Sequence, residues 1–161
     1  MKLAFSWIFQ MSNIKDDTIL CHVETDDELR TCFPVMLQLR PHLRDDTDFV
    51  DRVNRQREQG YRLFAVWRRG RPLALAGYRL QENLVHGRFL YVDDLIVSKN
   101  CRRYRWGARL LEELDEITRQ QGCAKLILDT AVSNALAQRF YFRQGMLMGA
   151  LRFSKPVVPR P

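Results

Sequence analysis

The sequence contains few of the residues from which metal and redox centres are built. Its 161 residues include four cysteines and three histidines, and both types are scattered along the chain. No two cysteines form a C-x-x-C pair or have metal-ligand spacing, so we expect no zinc site, no other bound metal and no dithiol redox centre. Unpaired thiols are typical of a reducing compartment, which favours a cytoplasmic location.

Long hydrophobic runs are also missing. No apolar stretch approaches the roughly 20 residues that a membrane-spanning helix needs, so membrane association is not expected. The chain starts MKLAFSWIFQM, with one lysine and a short apolar run but no small-residue cleavage pattern behind it, which argues against a signal peptide. We interpret residues 1–17 as an N-terminal extension, either an extra strand or a leader upstream of a start at Met11.

The rest of the chain shows no repeat, no low-complexity tract and no long linker. Residues 18–155 are therefore predicted to form one domain, followed by a flexible tail at 156–161. With 46% hydrophobic residues, a domain of this length can bury a hydrophobic core.

Positive charge is in excess, with a formal net charge of +7. Such an excess suits an anionic ligand or nucleic acid and does not decide between them. A surface for single-stranded nucleic acid would interleave aromatic with basic side chains, and among the arginines of 102–109 the aromatic residues are Tyr104 and Trp106 alone. Nucleic-acid binding is therefore not favoured. Acidic residues concentrate at 26–28 and 45–51, where they would suit a cationic acceptor or act as ordinary helix caps and solvated faces.

The order of apolar patterns predicts an α/β (α+β) fold. Strand-like runs occur at 18–23, 61–67, 73–80, 89–97, 125–129 and 146–153. Helical spacing and caps predict helices at 26–40, from Asp45 or Asp46 to Gly60, at 106–121, and from Asn134 to 144. A short turn at 68–72 makes a hairpin, whereas a helix between 89–97 and 125–129 makes those strands parallel neighbours. We expect a single domain with a mixed central sheet and helices on both faces.

The third predicted helix begins with charges that a bare helix would disfavour. A helix start carries partial positive charge from its unpaired N–H groups. Yet Arg102, Arg103, Arg105 and Arg109 crowd that end, and the acidic residues 112–116 come later. The arrangement predicts that an anion such as a phosphate binds at the helix start.

Two motifs resemble those of the GCN5-related N-acetyltransferase family. That family's acetyl-CoA motif, Arg or Gln followed by x-x-Gly-x-Gly/Ala, aligns with residues 102–107, with Arg105 in place of the first glycine and Gly107 at the second. About thirty residues later, a second family pattern falls on Asn134, Ala137, Phe140-Tyr141 and Gly145-Met146. The strand before the first motif, 92–97, is similar to the family's acyl-binding strand.

The resemblance implies an acetyl-CoA-dependent N-acetyltransferase in which a primary amine of a small molecule or peptide attacks directly within a ternary complex. No metal is implied, and homodimers are common in the family. The implied cofactor-binding residues are Leu95, Ile96, Val97, Arg102, Arg103, Tyr104, Arg105, Trp106, Gly107, Ala108, Asn134 and Ala137. Arg105 would fit if its backbone conformation were an ordinary one. Because a glycine is replaced there, a catalytically silent acyl-CoA-binding or regulatory module is the alternative.

The resemblance also implies two catalytic residues. Tyr141 matches the family's tyrosine acid, and a phenol of pKa about 10 can donate a proton to the leaving thiolate at neutral pH. Asp93 occupies a position that is often acidic in the family and is our candidate base for the amine. Asp94 lies beside it, and neighbouring strand residues are expected to point to opposite faces. Asp93, Asp94 and water alone therefore remain alternatives for the base.

Overall fold

A computed structural model describes residues 17–102 and 104–157. Five strands are present in it: β1 Thr18–His22, β2 Arg62–Arg68, β3 Arg71–Asn83, β4 Gly87–Val97 and β5 Lys125–Leu128. They form one sheet in the order β1-β2-β3-β4-β5, antiparallel throughout except for the parallel pair β4–β5. The hairpin and the parallel crossover predicted from the sequence are therefore confirmed.

In the same described ranges, four α-helices cover both faces of the sheet: α1 Asp26–Met36, α2 Asp46–Arg57, α3 Trp106–Gln120 and α4 Ala135–Arg143. Strand side chains alternate between two cores because successive residues point to opposite faces. Leu63, Ala65 and Leu75 pack with α1 and α2. Their neighbours Phe64, Val66 and Ala74 pack with α3, against which α4 also rests. The predicted mixed sheet with helices on both faces is confirmed.

The first helix begins at Asp26, as predicted, but ends earlier than the prediction. Its N-cap is Thr25, one residue before Asp26, because the Thr25 hydroxyl and the Glu28 carboxylate bond each other's backbone N–H groups in a capping box. Pro34 lies inside the last turn, and the helix ends at Met36 rather than at residue 40. Residues 37–45, here called the α1–α2 loop, consequently leave the helix and reach towards β4.

The predicted strand at 146–153 is wrong, because residues 146–157 adopt no regular secondary structure. The apolar pattern there shows a tendency to extend but supplies no partner strand, and a strand is stable only when it is paired. Leu147 and Phe153 accordingly remain 90% and 89% exposed. Arg152 holds the segment to the rest of the molecule through Asp129 and the Tyr91 hydroxyl.

Some predictions fall on residues outside the described ranges. The N-terminal extension 1–17 is described only at Asp17, and the tail 156–161 only at residues 156 and 157. Arg103 also lies outside the described residues.

The core beneath α1 and α2 contains one close approach that requires glycine. A Cβ atom on Gly77 of β3 would lie 2.0 Å from the Tyr61 hydroxyl oxygen and 2.5 Å from the Tyr61 Cζ. Tyr61 is 3% exposed, so its ring has little room to move. The absence of a side chain at position 77 is therefore what admits the Tyr61 ring.

Replacing Gly77 with alanine tests this packing. We expect Gly77→Ala to lower the free energy of unfolding by about 1–3 kcal/mol, as overpacking of a core commonly does. Gly149→Ala is the matched control, because a Cβ there meets nothing within 4 Å. Urea denaturation of both variants measures the difference, and equal stability of the two would contradict the packing argument.

Candidate active site

The stretch of sheet edge that is left open where β4 and β5 stop pairing is here called the cleft. The two strands pair only from Phe89 with Lys125 to Val92 with Leu128, whereas β4 continues to Val97. Among the described residues, no strand covers the edge of β4 from Asp93 to Val97 that faces away from β3. The predicted acyl-binding residues 95–97 lie on this open edge.

The open edge leads into the start of α3. A single 3₁₀ turn, Lys99–Cys101, separates β4 from the arginine turn, and α3 then begins at Trp106. Among the described residues no side chain caps this helix, and its first turn has no acidic residue. The first backbone bond is from the Arg109 N–H to the Arg105 carbonyl, so the N–H groups of residues 106–108 have no acceptor within the helix. N–H groups of this kind can bind an anion, and the anion site predicted from the charges stays a prediction.

Arg105 adopts a left-handed backbone conformation, with φ +59° and ψ +16°. The ordinary backbone conformation under which Arg105 would fit in place of the motif glycine is therefore not present. The physical reason is the sharp turn into α3. Arg105 is the N-cap residue at this turn and does not adopt helical φ and ψ angles. A left-handed conformation costs an L-residue about 1–2 kcal/mol relative to glycine. The side chains of Arg102, Tyr104 and Arg105 are exposed around this turn.

Gly107 joins the start of α3 to α4. A Cβ on Gly107 would lie 3.2 Å from Phe140 and 3.5 Å from Val97, so the absence of a side chain allows close packing. Asn134 caps α4, because its Oδ1 accepts the Ala137 N–H at 3.1 Å. The structure thus brings the two sequence motifs together at one end of the cleft. That Asn134 and Ala137 contact the cofactor stays a prediction.

Tyr141 lies on the α3 side of the sheet. Its ring packs beside Phe140, with the centroids 5.4 Å apart, and both rest against the core beneath α3. Burial raises the pKa of the Tyr141 phenol above its ordinary value. At neutral pH the hydroxyl is therefore protonated, which is the form that can donate a proton.

Asp93 and Asp94 lie on the same face of the sheet, so the expectation of opposite faces is wrong. The reason is a β-bulge: Gly77 pairs with Asp94 and Tyr78 pairs with Val92, which leaves Asp93 as an extra residue in β4. The extra residue interrupts the alternation of side chains. Both carboxylates consequently contact groups on the side of α1 and α2.

The two carboxylates differ in how far their oxygens are occupied. Asp94 accepts from Arg40 Nε at 2.7 Å on one oxygen and from the Tyr61 hydroxyl at 2.8 Å on the other. Asp93 accepts from Arg79 Nε at 3.0 Å on Oδ2, and no donor of the described residues bonds its Oδ1. The Asp94 side chain is 12% exposed and that of Asp93 25%. Asp93 is therefore the carboxylate that can still accept a proton from a ligand or water.

Burial raises the pKa of Asp93, and the nearby Arg79 guanidinium opposes this shift only in part. Burial, together with the charge of Asp94, likewise raises the pKa of Tyr61 far above its ordinary value, so Tyr61 remains a hydrogen-bond donor. The cluster around the bulge therefore holds a carboxylate that binds a proton more readily than an exposed aspartate does.

Sequence reasoning missed three residues of this cluster. Arg40, Tyr61 and Arg79 are separated from their aspartate partners by 54, 33 and 14 residues respectively. No local motif marks them, since their roles depend on pairing between distant strands.

The acidic residues in the N-terminal third of the chain mainly cap helices or pair with arginines. Asp45 caps α2, Asp46 lies 3.6 Å from Arg30, and Asp48 bonds two arginines of the same region. These contacts remove the main reason for expecting a surface that attracts cations.

In the described ranges no helix has both the length and the apolar content to cross a membrane. Within those ranges, no cluster of three or more His, Cys, Asp or Glu side chains could hold a metal ion.

Comparison with known proteins places this chain in a family. The sequence model described as the acetyltransferase (GNAT) family matches residues 23–146. The chain is 27% identical over 133 residues to YhdJ, an uncharacterised N-acetyltransferase of Bacillus subtilis (strain 168), a match covering 81% of this chain and 93% of the relative. It is 26% identical over 138 residues to glucosamine 6-phosphate N-acetyltransferase 1 of Dictyostelium discoideum, covering 81% of this chain and 86% of the relative.

Solved structures share the fold at lower identity. An acetyltransferase of Trypanosoma brucei superposes with a TM-score of 0.74 at 20% identity, covering 88% of this chain and all (100%) of that chain. The aminoglycoside acetyltransferase AAC(6')-Iy, in complex with a bisubstrate analogue of coenzyme A and acetylneamine, gives a TM-score of 0.74 at 16% identity, covering 88% and 99%. Since the family model spans most of the chain and the curated relatives are N-acetyltransferases, this protein is an acetyltransferase and belongs to the GNAT family.

Proposed function

We propose that the protein transfers an acetyl group from acetyl-CoA to a primary amine by direct attack within a ternary complex. One observation carries the proposal. The open edge of β4 runs into the uncapped start of α3, with the Asp93 carboxylate on one face of the sheet and Tyr141 on the other. A thioester at this edge would lie between a candidate base and a candidate acid.

The described residues fit coenzyme A. The N–H groups of residues 106–108, which have no acceptor within the helix, suit its pyrophosphate, and Arg102 and Arg105 add positive charge there. The unpaired edge of β4 at 95–97 offers backbone groups to an extended arm, as sheet edges do for peptides. Asn134 and Ala137 lie at the start of α4, the helix whose Phe140 packs against Gly107. Bound there, acetyl-CoA supplies an activated acyl group as a thioester.

Asp93 is the proposed base. An alkylammonium has a pKa of about 10.4 and must lose a proton before its nitrogen can attack. Asp93 takes that proton, directly or through water, at its free Oδ1 and passes it to solvent. Formation of the N–C bond and breakage of the C–S bond then release a second proton from nitrogen. A backbone N–H at the end of β4 can stabilise the oxyanion that forms between these two events.

Tyr141 is the proposed acid. Its hydroxyl gives a proton to the departing thiolate and recovers one from the acylated nitrogen, so that protons balance over the reaction. A cysteine acyl-enzyme is not needed for this route. Burial raises the pKa of the Cys32 thiol to about 12, which leaves it un-ionised and a poor nucleophile.

We propose a small-molecule amine as the acceptor. The relatives' names point this way, since they describe acetyltransferases of glucosamine 6-phosphate, aminoglycosides and aminoalkylphosphonates. A panel of these amines, with polyamines and lysine peptides beside them, screened by release of free thiol, would identify the class. Acetylation of peptides alone would contradict the small-molecule proposal.

Titration calorimetry with acetyl-CoA tests the cofactor site. We expect wild type to bind and Arg102→Ala to bind about tenfold more weakly, because loss of one phosphate contact costs about 1.4 kcal/mol. The control is Arg55→Ala, an exposed arginine on α2. Absence of binding by wild type would refute the enzyme proposal. Binding without turnover of any amine would favour the catalytically silent module instead.

Arg105 permits a test that separates backbone strain from charge. Both Arg105→Gly and Arg105→Ala remove the guanidinium, but only glycine relieves the left-handed conformation. We expect the glycine variant to be more stable than the alanine variant by about 1 kcal/mol in urea denaturation. Both should lose similar affinity for acetyl-CoA if the charge contacts phosphate. Equal stabilities would show that the turn is not strained.

Substitution of Tyr141 tests the acid. We expect Tyr141→Phe to lower kcat by about 100-fold, a typical contribution of general acid catalysis, with little change in KM for acetyl-CoA. Tyr91→Phe is the control, since it removes a phenol that is held by Asp129 and Arg152 instead. Unchanged turnover of an accepted amine by Tyr141→Phe would show that the tyrosine packs the core without donating a proton.

A further inference from the structure

The α1–α2 loop contacts two parts of the candidate site, the turn that precedes α3 and the bulge in β4. Gln38 accepts the Lys99 N–H at 2.9 Å, at the start of the turn that leads to the arginines. Two residues further on, Arg40 reaches the bulge in β4. The loop itself is held in place, because the Arg40 N–H bonds the Met36 carbonyl and buried Leu43 bonds the Arg40 carbonyl. Arg40 therefore projects from a fixed backbone.

One guanidinium bonds both residues of the bulge. Arg40 donates from Nε to Oδ1 of Asp94 at 2.7 Å and from Nη2 to the backbone carbonyl of Asp93 at 2.8 Å. A bulged residue falls outside the ladder of strand hydrogen bonds, so its backbone groups need other partners. Arg40 supplies the partner for the Asp93 carbonyl and a counter-charge for the neighbouring carboxylate.

The groups around Asp93 come from several elements of the fold. Arg79 of β3 pairs with its carboxylate and is itself bonded by Gln56 and Gln59 of the α2 region. Arg40 comes from the α1–α2 loop, and Asp94 follows in β4. The hydroxyl of Tyr61, which precedes β2, donates a hydrogen bond to the second oxygen of Asp94. Two carboxylates and two guanidinium groups thus share one half-buried cluster with no net charge.

We propose that Arg40 is a positioning residue for acetyl transfer. By bonding the Asp93 carbonyl and the Asp94 carboxylate together, it fixes the bulge that directs the Asp93 side chain to the α1 and α2 face, and it neutralises the adjacent carboxylate. The proposal rests on the assignment of Asp93 as the base. Arg40 acts through Asp93 and takes no part in the proton transfer itself.

The proposal has a consequence for pH dependence. Without Arg40, Asp93 would lose a nearby cation and would face the uncompensated charge of Asp94. Both changes favour protonated Asp93 and raise its pKa. A base works when it is deprotonated, so the acid limb of the kcat/KM profile would move to higher pH. Loss of activity would consequently be largest at low pH and would shrink as the pH rises.

Four variants and wild type, measured as kcat/KM against pH with an accepted amine, test the proposal. We expect Arg40→Gln to shift the acid limb upwards by about one pH unit, which is about a tenfold loss below the limb. The double variant Arg40→Gln/Asp94→Asn also lacks the Asp94 charge that Arg40 neutralises in wild type. Its acid limb should therefore return most of the way towards the wild-type position. Arg40→Lys keeps the charge but cannot make both bonds, so kcat should fall with the limb in place. Arg55→Gln, on the exposed face of α2, should match wild type.

The results separate a positioning role from a structural one. Equal loss at every pH in Arg40→Gln, with no movement of the limb, would overturn the proposal. So would full activity of Arg40→Lys together with an unshifted limb in Arg40→Gln. If Arg40→Gln does not fold, the double variant and Arg40→Lys still test the proposal. Neither of them leaves a charged Asp94 carboxylate without a cation beside it. Failure of the Asp93 assignment is seen separately, as a wild-type acid limb that persists in Asp93→Asn, and failure of the proposed function as absence of turnover by wild type.

Discussion

The extra residue at position 93 is the constraint on which the rest of the site depends. The pairing of β4 with β5 stops at Val92, and the bulge begins at the next residue. A bulge bends its strand and increases the local twist. β4 therefore stays with β3 up to Val97 while it leaves β5, and one inserted residue accounts both for the open edge and for two carboxylates on one face.

The bulge also divides the site electrostatically. On the face of α1 and α2, each aspartate of the cluster has an arginine partner, so that side is neutral overall. At the start of α3 the positive charge has no acidic partner within the first turn, and the helix dipole adds to it. A ligand with phosphates at one end and a reactive neutral group at the other would match this division. Burial of the aspartates, which is costly for an unpaired charge, is stabilised by hydrogen bonds that occupy three of their four oxygens.

Much of the fold follows from local sequence patterns. The strand and helix order, the hairpin at 68–72 and the cap at Asn134 depend on neighbours a few residues apart, and the structure confirms them. The strand at 146–153 was wrong because its existence depends on a partner that the pattern does not provide. The N-cap of α1 is Thr25, one residue before Asp26, where the capping box with Glu28 holds it.

The candidate site was less accessible to sequence reasoning than the fold. The turn at 102–107 was found because its charges oppose the helix dipole, which is a local property. The face on which Asp93 and Asp94 lie could not be predicted in this way. A bulge depends on how two strands pair, and residues 92–97 alone do not indicate it. For the same reason the partners Arg40 and Arg79 became visible only once the strands were aligned.

The open edge of β5 has a consequence for the behaviour of the protein in solution. In the part of the chain that the structure describes, β5 pairs on one side only, and the apolar side chains of 146–157 lie exposed nearby. Such edges template intermolecular pairing unless something opposes it. Here the net charge of +7 opposes it by mutual repulsion. Added salt shortens the range of that repulsion, to about 8 Å at physiological ionic strength, so the colloidal stability of this protein depends on ionic strength.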